Sequence, residues 1–451
     1  MRFLRTALLA LAVCALAARP AMAQEILRDT ESEALLQDMA APIVKAAGFQ
    51  PGAIDIVLLN DPSINAFVAG GQAIYIHSGL IETADNANEV QGVIAHEMGH
   101  ITGGHVIRSS EGMADASRIS ILSLLLGAVA VAAGSAEAGM GAIMAGQRAA
   151  LGKFLAFTRV QESSADAAGA KFLSDAGISG RGSIAFFDKL MGEEIRHGIS
   201  QDDDEQFVRT HPMTGDRMSR LRDVYSKDPA WNTPVDPQLQ SRFVLMKAKL
   251  EGYLATPEAT LRDYPLSRDD EAALYARAYA YHKDARMDQA IAETDALLSR
   301  EPDNPYFLEL KGQVLLESGR PDEALESLRR ANQLTRNSPL IAAIFGHALI
   351  ATEDPAHYDE ARQVLRAAVA RDRDNPFAWY QLGVVYAAQG DEPRARLASA
   401  EQQILSREYA RALMSARAAE SALPKDTPDW LRAQDIRMQA EAELERSRDR
   451  R

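Results

Sequence analysis

The chain has 451 residues, 47% of them hydrophobic, a single cysteine and a formal net charge of −14. That length supports two or three domains with real cores. The acidic balance excludes a basic nucleic-acid footprint, so no nucleic-acid partner is expected, and it offers little attraction to anionic lipid surfaces.

The N-terminus predicts the compartment. Arg2 and Arg5 form a basic n-region, Ala7 to Ala18 an apolar h-region too short for a membrane span, and Ala21-Met22-Ala23 an A-x-A cleavage signal. Residues 1–23 are therefore expected to be a cleaved secretory signal peptide, with the periplasm as destination. A lipoprotein reading at Leu11-Ala12-Val13-Cys14 fits poorly, because Val13 stands where a small residue belongs. Cleavage removes Cys14 and three arginines, which takes the charge from −14 to −17 and leaves no thiol or disulfide.

Gln72 to His77 alternates, with Ile74, Tyr75 and Ile76 between Gly70-Gly71 and Ser78-Gly79. This predicts a strand at a sheet edge above the active site, open to an extended peptide through main-chain hydrogen bonds. An ordinary internal strand is the alternative.

His96-Glu97-Met98-Gly99-His100 follows, inside an apolar helical run from Glu89 to Ile101. Four residues are about one helical turn, so both imidazoles project from one face and can hold one zinc ion, with Glu97 beside it as base for its bound water. Val90, Val93, Ile94 and Ile101 bury the helix, and Gly99 admits another backbone. A third histidine in the pattern H-E-x-x-H-x-x-G-x-x-H is missing: Gly103 fits, but Val106 takes the last position. His105 comes one residue early, about 100° off the ligand face.

Ile119 to Ala133 is strongly apolar and leads into a glycine-rich stretch. About 15 residues fall short of the roughly 20 that a membrane span requires. The expectation is a buried hairpin, or a mobile helical lid making peripheral contact with membrane or client; a plain core helix is the alternative.

A second helix, roughly Ala149 to Ala176, carries Glu162 and Asp166 on one face. Glu162 is the expected third ligand. Asp166 is expected to accept from the distal nitrogen of a ligand histidine and fix its tautomer. Two histidines and one glutamate leave a fourth position for water, whose proton Glu97 takes and later gives to the leaving amine. The oxyanion then needs a further electrophile. His211 and Arg217 are the candidates, and His211 could instead fill the fourth position and hold the enzyme shut. Asp202-Asp203-Asp204-Glu205 reads as an exposed acidic turn, and Tyr225 to Pro237 as a domain boundary.

The C-terminal half repeats near a 34-residue period. Ala278, Gly312, Gly346 and Gly383 mark tight helix contacts; Ala290, Ala324, Ala361 and Ala395 mark the second helix of each unit. Pro305, Pro339 and Pro376 open successive units, and the third carries an insertion near Glu353 to His357. Four TPR units are expected, then a degenerate pair over Ser399 to Ala422 and a terminal helix from Pro428 to Arg446. Such a solenoid binds partners on its concave face.

The strings Asn65-Ala66-Phe67-Val68-Ala69-Gly70-Gly71, Ile74 to Leu80, Gly92 to His100, Glu162 to Asp166 and Thr210-His211-Pro212 together resemble the HtpX/CAAX-protease family of gluzincin peptidases. The closer likeness is to its soluble periplasmic branch with a C-terminal TPR domain, the BepA type. The resemblance implies His96, His100 and Glu162 as zinc ligands, Glu97 as catalytic base, and His211 as a regulatory fourth ligand. It implies one Zn2+ per subunit, unfolded or misassembled protein substrates, and the outer-membrane β-barrel assembly machinery as partner of the TPR domain.

The expected fold is mainly α: an α+β zincin-type peptidase domain with a small sheet at 24–235, a linker or bracing helix at 236–268, and an all-α TPR solenoid at 269–451. The expected function is a periplasmic zinc endopeptidase that degrades misfolded or stalled envelope proteins, with chaperone activity beside it. The alternatives are a TPR chaperone or adaptor with a largely latent protease domain, and a membrane-bound peptidase cleaving membrane proteins, which the short apolar segment disfavours.

Overall fold

The computed structural model describes residues 25–132, 135–197, 211 and 214–449. The expected signal peptide and the acidic turn at 202–205 lie outside the described residues. The chain divides into two units: residues up to Leu27 with Ala40–Thr233, and Arg28–Met39 with Pro234–Arg451.

The first unit holds a four-stranded sheet in the order β1-β2-β4-β3, with β1 at Glu25–Ile26, β2 at Asp55–Asn60, β3 at Ala66–Ala69 and β4 at Ala73–His77. β4 runs parallel to β2, pairing Ile74 with Ile56 and Ile76 with Leu58, and antiparallel to β3, pairing Tyr75 with Phe67. The Phe67 and Tyr75 rings stack with centroids 5.1 Å apart, a cross-strand contact that pins this register. β4 is thus internal, paired on both sides, which corrects the expectation that Gln72 to His77 forms the edge. Among the described residues the outer strands are β1, of two residues, and β3.

Helix α1 (Thr30–Ala46) passes the division between the units, α2 (Ser78–Thr83) follows β4, and α3 (Ala87–Thr102) carries the histidine pair. The start of α3 is a reciprocal cap: Asn86 Oδ1 accepts from Glu89 N at 3.1 Å, while Glu89 Oε2 accepts from Asp85 N at 3.1 Å. Lys189 Nζ on α6 (Arg181–His197) donates to the same Glu89 Oε2 at 2.7 Å and ties the two helices. Residues 87–100 of α3 are all buried.

Helices α4 (His105–Ala132) and α5 (Ala136–Asp175) form a long antiparallel hairpin, and α7 spans Gly215–Ser226. The hairpin overturns the reading of Ile119 to Ala133 as a short, buried element. Its helix has 28 residues and is the one among those described that is long and apolar enough to cross a membrane by length and composition. Of its most apolar window, 11% is buried.

The second unit is an array of helix pairs: Glu271–Lys283 with Met287–Arg300, Pro305–Glu317 with Pro321–Leu334, Pro339–Ala351 with Tyr358–Arg371, and Pro376–Ala388 with Glu392–Leu405. Proline at N1 starts several of them, where its missing N–H costs nothing. Gly312 and Gly346 lie against Leu328 and Leu365 of the second helix, too close for a side chain. A short 3-10 turn at Pro355–His357 accommodates the insertion. The last pair is Tyr409–Ala422 with Pro428–Asp449, so Ser399 to Ala422 is not itself a pair; its first residues complete the preceding helix.

Candidate metal centre

α3 meets α5 through small residues. A Cβ on Gly99 would run into the backbone of Ala165, and one on Gly169 would stand 2.9 Å from the Ala95 carbonyl oxygen. This crossing carries Glu162 to the two histidines. His96 Nε2 lies 3.1 Å from His100 Nε2 and 3.3 Å from Glu162 Oε2, and His100 Nε2 lies 3.4 Å from Glu162 Oε1. His211 joins them, its Nδ1 3.1 Å from Glu162 Oε1 and 3.3 Å from His96 Nε2. All four residues are buried, and one ligand atom from each falls within 4.8 Å of the others.

These spacings fit a metal. Four donors about 2.0–2.1 Å from a tetrahedral ion stand about 3.3–3.4 Å from one another. Two neighbours stand behind the imidazoles. Asp166 Oδ1 is 3.1 Å from His96 Nδ1, an ion-pair distance, and His105 Nδ1 is 2.9 Å from His100 Nδ1. His105 is off the ligand set, yet it holds a ligand ring. Sequence reasoning missed that role, whose one signal is a histidine just past the helix-ending glycines.

Glu97 is 1% exposed, and its Oε1 has no hydrogen-bond partner. His211 Nε2 is 3.7 Å from that oxygen. Burial raises the Glu97 carboxyl above its ordinary range, against the pull of His211 and His96. An orphaned, buried carboxylate oxygen beside four convergent donors fits a centre that acts on water or a proton.

Arg217 is placed differently from the expectation of a free electrophile. Its Nε and Nη2 donate to Asp166 at 2.6 and 2.8 Å, and its Nη1 lies 3.0 Å from Glu162 Oε2. Its fork is thus engaged by two carboxylates. Burial opposes ionisation of Asp166, but hydrogen bonds from His96 and Arg217 hold its carboxyl below the usual range. Burial likewise opposes ionisation of Glu162, and contacts with His100, His211 and His96 pull it far lower. In the ion-free cluster burial works against a charged His96, yet Asp166 and Glu162 push it up to about 10. Burial pulls His100 down to about 3, against its bond to Glu162.

Residues 27–225 match the model of peptidase family M48. Residues 356–410 match a tetratricopeptide repeat model, and residues 283–368 match the model of anaphase-promoting complex, cyclosome, subunit 3. The β-barrel assembly-enhancing protease of Escherichia coli K12 is 27% identical over 361 residues, covering 77% of this chain and 70% of that protein. Its counterpart in Yersinia pestis is 25% identical over 79% of this chain and 72% of its own length. Metalloprotease LoiP of Escherichia coli K12 is 34% identical over 37% of this chain and 60% of its own length. The chain therefore joins a peptidase family M48 domain to a C-terminal run of tetratricopeptide repeats.

Proposed function

We propose that the chain is a periplasmic zinc endopeptidase that degrades misfolded or stalled envelope proteins. The carrying observation is the buried set His96, His100, Glu162 and His211, with Glu97 beside it. His96, His100 and Glu162 would hold the ion, with imidazole and carboxylate suiting zinc. A divalent ion there supplies Lewis-acid polarisation of a peptide carbonyl. Glu97 Oε1 takes the proton of the attacking water and gives it to the leaving amine. Its raised affinity for protons suits that shuttle. Asp166 and His105 fix the ring orientations, and Arg217 holds Asp166 and Glu162 in place. Substrate adds as an extended strand along β3, the outer strand that lies against α3.

The names of the relatives support a role in outer-membrane β-barrel assembly, with the repeats recruiting the peptidase to that machinery. An A-x-A signal at 21–23 supports the periplasm. His211 stands where a fourth donor would, which favours a latched state over a transition-state role for this side chain.

Casein hydrolysis tests the reading. Glu97→Gln should abolish it while the protein still binds zinc. His211→Ala should raise it; a fall to background would return His211 to the transition state. The latched arrangement also favours a second reading, a repeat-based chaperone with a largely silent protease. Full complementation of an envelope defect by Glu97→Gln would establish that one instead.

A further inference from the structure

The α4–α5 hairpin is built inside out. Its two helices meet through small residues: Gly127 and Gly139 approach so closely that a Cβ on either would stand 2.8 or 2.6 Å from the other's carbonyl oxygen. Gly146 abuts Ser123, and Gly112 abuts the Phe157 ring. Val131, Ile143 and Phe157 pack against these glycines, while most other large apolar side chains of the two helices lie outside the seam. Among the described residues, fifteen of the 25 exposed large apolar side chains belong to the hairpin, Leu125 and Val129 at 61% and 66% exposure. In a water-soluble pair the large apolar residues fill the contact; small residues inside and large ones outside is the pattern of helices packed in lipid.

The shape of the apolar surface selects its occupant. Leu122, Leu124, Leu125, Leu126, Val129 and Val131 are all exposed. At 100° per residue they, with Ile121, cover roughly 220° of the circumference of α4. A protein groove covers one face of a helix, whereas a solvent covers every direction. Charge marks where that solvent ends. Between Ile119 and Gln147 the sequence has a single charge, Glu137, in the first turn of α5 where a helix N-terminus favours it. Exposed Arg118 and Arg148 bound this stretch on the two helices, with Lys153 just beyond. Asp115 pairs with Arg118 at 3.2 Å, so this collar carries a net positive charge through Arg148 and Lys153, which complements anionic headgroups.

We propose that the distal half of the α4–α5 hairpin inserts into one leaflet of a phospholipid bilayer, to the level of Arg118 and Arg148. From Ile119 to Ala132 is 14 residues of helix, about 21 Å at 1.5 Å each, past the middle of a roughly 30 Å hydrocarbon core and short of its far side. Both helices return to the same face. Backbone polar groups of helices are satisfied internally, so lipid tolerates them. Because α5 continues from Arg148 to Glu162, the metal centre would stand about 21 Å along the helix from the headgroups. That consequence, cleavage of chains emerging at a membrane surface, rests on the peptidase reading; insertion does not.

Flotation of the full mature chain with vesicles of phosphatidylethanolamine and phosphatidylglycerol reads insertion alone, and casein hydrolysis reads the peptidase separately. The wild-type chain should float. Leu125→Glu combined with Val129→Glu should lower the bound fraction at least tenfold and leave casein hydrolysis unchanged. Leu125→Trp should be quenched by brominated acyl chains rather than by aqueous iodide. Arg118→Glu with Arg148→Glu should weaken binding to these vesicles more than to phosphatidylcholine. A wild-type chain that stays with the soluble fraction overturns the proposal. So does a soluble dimer that the Leu125, Val129 pair of changes splits, which would make a second copy the occupant.

Discussion

Asp166 Oδ1 stands 3.1 Å from His96 Nδ1, and the opposite side of the same carboxylate takes Arg217 Nε at 2.6 Å. One carboxylate thus orients a ligand ring while an arginine holds the carboxylate. Asp166→Asn keeps the shape and removes the charge. Partners of this kind typically change metal affinity by 10–100-fold. Zinc affinity should fall by about that range, measured by competition with a chromophoric chelator. An unchanged affinity would show that His96 needs no anionic partner.

Metal removal should be visible as lost stability. Four buried donors converge around Glu162, which also meets Arg217 Nη1 at 3.0 Å. An ion present at a thousand times its dissociation constant stabilises the folded state by about 4 kcal/mol. Chelation should therefore lower the melting temperature of the peptidase unit by several degrees. Glu97→Gln should retain that chelator shift, and His96→Ala should lose it. Identical melting curves with and without chelator would remove metal from the account.

The parts of this centre that are local in sequence were legible, and the parts that are tertiary were not. His96 and His100 share a helix face because their spacing fixes it. Glu162 was reachable by asking which distant carboxylate sat among small residues suited to helix crossing. The pairing of β4 on both sides depends on strand order, which alternation alone does not encode. Arg217 looked like a free cation because its partner, Asp166, lies 51 positions away. The uninterrupted apolar stretch is shorter than α4, which extends back through Arg118, Asp115 and Arg108 to His105. Apolar content does not imply burial here, because glycines let the two helices of the hairpin approach closely and leave many large side chains exposed. The repeats were readable from period, but the grouping of Arg28–Met39 with them arises from contacts far along the chain, such as Thr30 Oγ1 to Ser338 Oγ at 3.0 Å.

The crossing of α3 and α5 gives a third test. Gly99→Ala places a methyl group against the Ala165 backbone, which cannot yield as a side chain could. Overpacking of this kind costs about 1–3 kcal/mol. The helices must separate, so Glu162 should move from the histidines and zinc affinity should fall together with melting temperature. Gly152→Ala, on α5 where nothing lies within 4 Å, is the control and should lower neither. Equal effects from the two changes would rule out close approach as the reason for glycine at 99.

Within the repeat unit, Glu309 is buried and its Oε2 has no hydrogen-bond partner. Burial raises its pKa to about 8, against the pull of Lys249 and with the push of Asp29 and Glu31. Lys249 itself is bonded to Asp29 and Glu31, and Tyr275 donates to Glu31 Oε2 at 2.8 Å, so the cation is already matched by carboxylates. The folded state therefore keeps the Glu309 proton that the unfolded chain releases near its ordinary value of 4.5. Its contribution is fully present below about pH 4.5 and is lost as pH rises through about 8, with a slope of at most about 1.4 kcal/mol per pH unit. Glu309→Gln should flatten that decline and make the repeat unit more heat-stable than wild type above pH 8. Burial of Glu31 raises its carboxyl as well, despite Lys249, so the wild-type minus variant difference isolates Glu309. Melting temperatures of both chains between pH 5 and 9 provide the check: parallel curves would mean that Glu309 is ionised in the folded protein, its charge balanced by Lys249.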